Sequence, residues 1–254
     1  MAKVAVRRSV VPPVGNGLLT GLISFWQLNE NAGSARADSH GAYPFAEVGG
    51  SVARTTGKVY AYAADFVGGS NTDVLSQDSF LPAHDEVWTL ALWARLEAWS
   101  TTGIPGQPGF YRVILSDQDV YIGRQLGTNN AHQLYCMYQV TNGSAYGTHG
   151  PVQSDDFLNT WHLIVVWFDP DTDTMYMQLD NEATPTSETM VSPAWSEYGH
   201  TYQTLIGNSL TQYPSYQWAG QIGPMAAWNR ILTTDERTAL WNSGNGLTYA
   251  EFTA

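Results

Sequence analysis

Apolar residues in this chain recur in short runs, and within most runs they alternate with polar or small residues. A period of two marks a strand with one face buried. The first such run is Gly21 to Glu30, where Phe25, Trp26 and Leu28 are apolar before a polar turn at Asn31-Ala32-Gly33. Tyr60 to Phe66 reads as a strand, and Val87 to Leu96 is the clearest strand in the chain. Phe110 to Leu115 and Val120 to Gly123 read as strands around a turn at Asp117-Gln118-Asp119. Gln133 to Val140 ends at Thr141-Asn142-Gly143-Ser144, a hairpin signal. Trp161 to Phe168 is almost continuously apolar, so both of its faces need cover. Asp169 to Asp173 turns the chain, and Thr174 to Leu179 returns it.

The stretch from Gln217 to Leu232 begins as a strand with Ile222, Met225, Ala227 and Trp228 apolar. Its alternation breaks at Gly223-Pro224, which predicts a bulge or an edge. A helix is predicted directly afterwards. Thr233 and Glu236 have capping-box spacing, Ala239, Leu240 and Trp241 form an apolar side, and Gly244 is a stop signal. The pattern predicts an all-β protein, an antiparallel β-sandwich with one short C-terminal helix. No repeat or second domain interrupts residues 17–254. Residues 1–16, ending in Pro12-Pro13-Val14-Gly15-Asn16, read as an extended N-terminal arm.

Composition narrows the functional classes. Only 13% of residues are charged, whereas the 254 residues include 24 Gly, 10 Trp and 14 Tyr, a mixture suited to strands and tight turns. The net charge of −12, with 11 Lys and Arg in total, argues against a nucleic-acid partner and against anionic membranes. One cysteine excludes an internal disulfide framework. No apolar run reaches membrane-spanning length. The N-terminal apolar pieces are too short for a signal-peptide core and are cut by prolines.

Trp218-Ala219-Gly220-Gln221-Ile222-Gly223, then Trp228-Asn229-Arg230-Ile231-Leu232-Thr233, then Glu236 and Leu240-Trp241-Asn242-Ser243-Gly244, resemble the closing segment of the concanavalin A-like, laminin-G-like jelly-roll superfamily. The opening Trp26-x-Leu28-x-Glu30, followed by Gly33 and Asp38-x-x-Gly41, is similar to the start of the same family. Tyr60 to Phe66 resembles its aromatic-Asp-Phe strand. The resemblance implies a concanavalin A-like jelly roll over roughly residues 18–252, with the two ends of the chain, 18–30 and 217–230, lying side by side and the helix packed outside. It also implies a place for a structural calcium between the opening turn and the closing strand. Glu30 and Asp38 are the metal candidates on the first side, but Gly223-Pro224 stands where the family often has acids.

Other candidate chemistry is sparse. Asp169, Asp171 and Asp173 have the spacing of the first ligands of a calcium loop, but Thr174 stands where that loop needs Gly and Asp180 where it needs Glu. They read as a solvated hairpin turn. The Glu-x-Asp-x-x-Glu strand of family glucanases is absent, and the acid pairs Asp117/Asp119 and Asp180/Glu182 lack its register. No catalytic residue is assigned. His40, His84, His132, His149, His162 and His200 are scattered without metal spacing, and His162 reads as packing. Cys136 reads as a buried, inert thiol. The candidate ligand-binding residues are Trp195, Tyr198, Tyr202, Tyr213 and Tyr216, in an aromatic set that also takes in Trp218. Flat aromatic faces among hydroxyl and amide side chains suit sugar rings, and equally a protein interface.

Three functions fit. The first is a non-catalytic structural protein, a bacteriophage virion component such as a head decoration or tail-associated protein. The opening and closing segments also resemble phage-encoded members of the family. The second is a carbohydrate-binding module, and the third a polysaccharide-degrading enzyme. The expected partners are other virion proteins or copies of this chain, with cell-surface glycans as a further class. The expected location is the virion, or outside the cell by a non-classical route. No cofactor is expected apart from the calcium. In the arm, Val4, Val6, Val10 and Val11 are costly to leave in water, and Arg7 and Arg8 suit the acidic surface of a neighbour.

Overall fold

A computed structural model of the chain describes residues 17–67, 73–78, 81–82, 86–99, 112–119, 122–129, 131–139, 145–190, 203–208 and 217–252. The strands are β1 (Leu22–Trp26), β2 (Ala46–Gly49), β3 (Ala53–Thr56), β4 (Tyr62–Phe66), β5 (Asp73–Asp78), β6 (Trp88–Leu96), β7 (Arg112–Asp119), β8 (Ile122–Thr128), β9 (Gln133–Gln139), β10 (Ala145–Val152), β11 (Trp161–Asp169), β12 (Thr174–Leu179), β13 (Thr186–Thr189), β14 (Gln203–Ile206) and β15 (Gly220–Trp228). Two helices, α1 (Thr234–Trp241) and α2 (Tyr249–Phe252), close the chain.

The strands form two antiparallel sheets. The first runs β13-β12-β11-β6-β15-β4-β3, with β1 also paired to β15, and the second runs β10-β9-β8-β7-β14-β5-β2. The predicted sandwich is therefore present, with β6 in the middle of the first sheet. Alternation along β6 explains its placement. Trp88, Leu90, Leu92, Ala94 and Leu96 enter the core between the sheets, while Ala91 and Trp93 enter a second apolar cluster on the outer side of the first sheet. Leu163, Val165 and Trp167 of β11 and Ala226 and Trp228 of β15 join that outer cluster, capped by Leu18, Leu240 and Phe252. Both faces of β11 are covered, as its unbroken apolar run requires. Each large side chain taken out of water this way stabilises the fold by about 1.5–3 kcal/mol.

The interruption at Gly223-Pro224 has a topological cause. One edge of β15 pairs with β6 from Gly220 to Trp228, with an irregularity between Ile222 and Met225. The other edge is shared, with β4 on Gly220 to Ile222 and β1 on Met225 to Trp228. Pro224 lacks an N–H and lies where the second edge changes partner, so its missing donor costs least there.

The two chain ends are stitched together as expected. The Trp228 indole donates to the Leu18 carbonyl at 2.7 Å, and the Asn229 amide donates to Gly21 at 2.9 Å. The Arg230 guanidinium donates to the carbonyls of Gly17 and Thr20, each at 2.6 Å, and to the Glu236 carboxylate at 2.7 and 2.8 Å. Glu236 and Thr233 form the predicted capping box.

Three local readings are corrected. Asp117 and Asp119 lie within β7 rather than in a turn, with Asp117 opposite Arg124 of β8. The helix ends at Asn242, in the left-handed region at φ 47°, rather than at Gly244. A second helix, α2, follows; at its start the Glu251 carboxylate accepts from the Thr248 amide at 2.7 Å and from the Thr248 hydroxyl at 2.8 Å, one half of a capping box.

Candidate binding surface

Of the residues singled out from the sequence, Trp195, Tyr198, Tyr202, Tyr213 and Tyr216 lie outside the described residues, as do Val4, Val6, Arg7, Arg8, Val10 and Val11 of the arm. Trp218 is described and lies in the core between the sheets, 1% exposed, so it presents no face to a ligand; Glu30 and Asp38 are described as well. One Asp38 oxygen accepts from the amides of Phe25, His40 and Gly41 at 3.1, 3.0 and 2.9 Å, and the other accepts from Tyr43 at 3.1 Å. Burial pushes this carboxyl up, but the amides of His40, Gly41 and Phe25 outweigh it and hold Asp38 below its ordinary value. Glu30 accepts from the Ala37 amide at 2.8 Å. Asp38 thus spends its lone pairs on backbone, the work of a turn-former. Among the described residues no three His, Cys, Asp or Glu gather where they could hold a metal ion.

The other singled-out groups are also absorbed by structure. His162 lies between Asp180, 2.5 Å away, and the Phe157 carbonyl, 3.2 Å away, with its ring stacked on Phe157 at 4.0 Å. Cys136 is buried, 3.5 Å from the Met175 sulfur.

A different constellation emerges on the outer face of the first sheet. Asp65 of β4 stands directly opposite Gln221 of β15, Gln221 opposite Arg95 of β6, and Arg95 opposite Trp161 of β11. Outward alternation on four adjacent strands places these residues in one row, about 14 Å long for three interstrand spacings. The Gln221 side chain, 3% exposed, organises it. Its amide nitrogen donates to Asp65 Oδ1 at 2.6 Å and to Glu97 Oε1 at 3.0 Å, while its oxygen accepts from Arg95 at 2.5 Å. Arg95 also donates to Glu97 Oε1 at 2.7 Å and to the backbone and side-chain oxygens of Asn159 at 3.0 Å.

Trp161 borders the row, half-buried, and packs on the outer apolar cluster. Its ring reaches across β6 to β15. A methyl group on Gly223 would sit 3.3 Å from both a Trp161 ring carbon and the Trp93 Cβ. An indole thus lies along the outer face of the sheet, over Trp93 and Gly223, at the Arg95 end of the row. The next outward row, headed by Trp93, is covered by Trp241, whose ring stacks on it at 5.5 Å.

The row keeps some hydrogen-bonding capacity. Arg95 directs four of its five N–H groups at protein oxygens, both N–H of the Gln221 amide are used, and the Trp161 indole N–H has no acceptor among the described residues. Asp65 Oδ2 and Glu97 Oε2 receive no hydrogen bond among the described residues. Arg95 and Glu97 are 26% and 45% exposed, so the row opens to solvent at this end. The two carboxylates share the Gln221 amide nitrogen as donor, with one oxygen of each within 3.0 Å of it.

The sequence reading missed this row because each member sits near the end of an otherwise apolar strand. The available signal was the outward set Trp93, Arg95, Glu97, which turns from apolar to charged along β6.

Comparison with solved structures finds the same architecture in distant proteins. The binding domain of Paraclostridial Mosquitocidal Protein 1 matches at TM-score 0.61 and 10% identity over 89% of this chain and 52% of that one. A structure of botulinum neurotoxin type C, whose cell entry depends upon interaction with two ganglioside molecules, matches at TM-score 0.57 and 13% identity over 88% and 51%. Trypanosoma rangeli sialidase matches at 0.59 and 14% over 90% and 34%. The chain thus spans about half or less of these proteins, and the likeness is one of fold. No curated protein matches the sequence. The sequence model of the concanavalin A-like lectin/glucanases superfamily matches residues 68–236, and the chain belongs to that superfamily.

Proposed function

We propose that this chain is a non-catalytic, lectin-like subunit that binds glycans. The observation that carries the reading is the row Asp65–Gln221–Arg95–Trp161. It sets a half-buried indole and fixed polar groups on one face of a rigid sheet, the combination that suits a sugar's apolar face and hydroxyl rim. Similar folds in toxin binding domains, including the neurotoxin that interacts with gangliosides, support glycan binding by a fold of this kind; gangliosides are sialylated, so they say nothing for the choice of glycan here. The test is a glycan array with the purified chain, followed by titration of any hit against Trp161→Ala. Specific retention that is lost in the variant is the expected result. Release of reducing ends from the bound glycan, abolished by Asp65→Asn or Glu97→Gln, would turn the reading to the polysaccharide-degrading enzyme.

In its finer form, the proposal makes the chain part of a bacteriophage virion, as a head decoration or tail-associated subunit. The supporting observation is charge distribution. Residues 1–16 hold Lys3, Arg7 and Arg8 with no acid, while residues 17–254 hold 8 of the 11 Lys and Arg and all 23 Asp and Glu, a net charge of −15. A basic, valine-rich arm and an acidic body suit docking between neighbours. Deleting residues 1–14 should leave the unfolding midpoint unchanged and abolish assembly. A truncated chain that assembles as well as the full one would remove the arm from the proposal.

A further inference from the structure

Resting on the glycan-binding reading, we infer that the outer-face row selects uncharged glycans and rejects anionic ones, sialylated or sulfated, because its one cation, Arg95, is committed to protein oxygens between two carboxylates, each of which keeps an oxygen turned to solvent. Arg95 is the cation that an anionic sugar would need. Its Nε and both terminal nitrogens are already directed at Asn159, Glu97 and Gln221, and it is flanked by two carboxylates. An incoming carboxylate or sulfate would find one N–H of Arg95 uncommitted, short of the two-pronged fork that binds such groups, and would meet two negative charges.

What the row offers instead is Asp65 Oδ2 and Glu97 Oε2. A carboxylate oxygen only accepts, so its complement is a hydroxyl or an amide N–H. Neutral sugars carry hydroxyls on adjacent ring carbons, able to reach a pair of acceptors held on one sheet. The Gln221 amide fixes one oxygen of each carboxylate and so aims the other, which removes the entropy cost of ordering either acid on binding. Trp161 supplies the apolar platform at the other end of the row. The wider field has the same sign, since the body is strongly acidic and anionic ligands are repelled before they arrive.

The test uses the full chain on an array of glycans in matched pairs that differ only in a terminal sialic acid or a sulfate, with titration of the best neutral ligand. The neutral members should be retained and their acidic partners should not. Affinity for the neutral ligand should change little between about 0.05 and 0.5 M salt, since no ion pair forms. Asp65→Asn and Glu97→Gln keep the shape and the bonds to Gln221 and Arg95, and each should weaken that ligand about tenfold. The double variant, with two charges removed and new amide donors in place, should gain affinity for the acidic members. Circular dichroism and an unchanged melting temperature would show that both variants are folded. Retention of acidic glycans by the wild type, or neutral binding indifferent to Asp65 and Glu97, would overturn the inference while leaving glycan binding in place. Retention of no glycan would sink the reading on which it rests.

Discussion

Two polar constructions are built on the same sheet, and they treat hydrogen bonds in opposite ways. At the seam between the chain ends, Arg230 holds Gly17, Thr20 and Glu236, and Asp38 holds four amides. Those charged groups are consumed by backbone and by one another. In the row across β4, β15, β6 and β11, the Gln221 N–H groups and four of the five Arg95 N–H groups are used as well, but each carboxylate keeps one oxygen free of any described donor. The seam fastens the sandwich. The row holds its shape and retains something to offer. Burial and network density are similar in kind, so leftover capacity separates a structural network from a candidate binding one.

The largest expected effect lies at the seam. Arg230→Ala removes the hub that joins residues 17–20 to α1 and leaves the half-buried Glu236 carboxylate without its cation. The expected loss is about 2–3 kcal/mol, read from urea unfolding. A loss below about 0.5 kcal/mol would mean that the ends of the chain are held by apolar packing alone. No comparable loss is expected at the row: Asp65→Asn should stay within about 0.5 kcal/mol of wild type.

Acid should expose the same contrast. Burial pushes the Glu236 carboxyl up, but hydrogen bonds from Arg230 and the Thr233 amide, with the Arg230 charge, outweigh it and hold the group below its ordinary value of 4.5. Asp38 is held below 3.8 by its amides in the same way. A carboxyl whose pKa is depressed on folding stabilises the fold above its unfolded value, and that contribution is lost as the pH falls through the folded value. Glu236→Gln should therefore be less stable than wild type near neutral pH, and the gap should close as the pH falls below 4.5. Melting temperatures across a pH series will show this; a gap that persists undiminished into acid would mean that Glu236 acts by packing and capping, not by charge.

Much of this contrast was legible in the chain itself, but unevenly. The seam is written in contiguous motifs: Trp228-Asn229-Arg230 with Thr233 and Glu236 on one side, Trp26 and Asp38 on the other. Local spacing encodes caps and turns, so these could be read directly. The second helix was missed although Thr248 and Glu251 carry the capping-box spacing, because four residues are too few to show a helical period. The row is different in kind. Its members come from four strands up to 156 residues apart, and they meet only because the register sets Asp65, Gln221, Arg95 and Trp161 opposite one another. A shift of one residue in any strand would turn that member into the core. Register is fixed by packing and bulges, which sequence pattern does not specify, so the individual residues looked like strand ends or packing.

Trp161 separates folding from binding at intermediate size. Trp161→Ala should cost about 1–2 kcal/mol of stability, less than the 3–5 of a fully buried tryptophan, because the ring is only half-buried. Its effect on glycan affinity should be about tenfold. If stability drops as far as for a core tryptophan, the ring is a structural lid on the outer cluster and the row loses its platform.

The smallest change offers the sharpest test of the platform. Gly223 has no positive-φ requirement, so an alanine there raises no backbone objection. The new methyl would lie 3.3 Å from a Trp161 ring carbon and 3.3 Å from the Trp93 Cβ. Trp93 is buried and pinned by its stack on Trp241, so it cannot give way, whereas the half-exposed Trp161 ring can lift by a few tenths of an ångström. Gly223→Ala should therefore cost less than about 1 kcal/mol in unfolding. Lifting the ring tilts the platform relative to acceptors that have not moved, so glycan affinity should fall by more than the stability change would suggest. Tryptophan fluorescence should shift in step, and Trp161→Phe should remove that shift. If Gly223→Ala leaves both affinity and fluorescence untouched, the indole does not lie along the row, and the outer face of the sheet is another fastening like the seam.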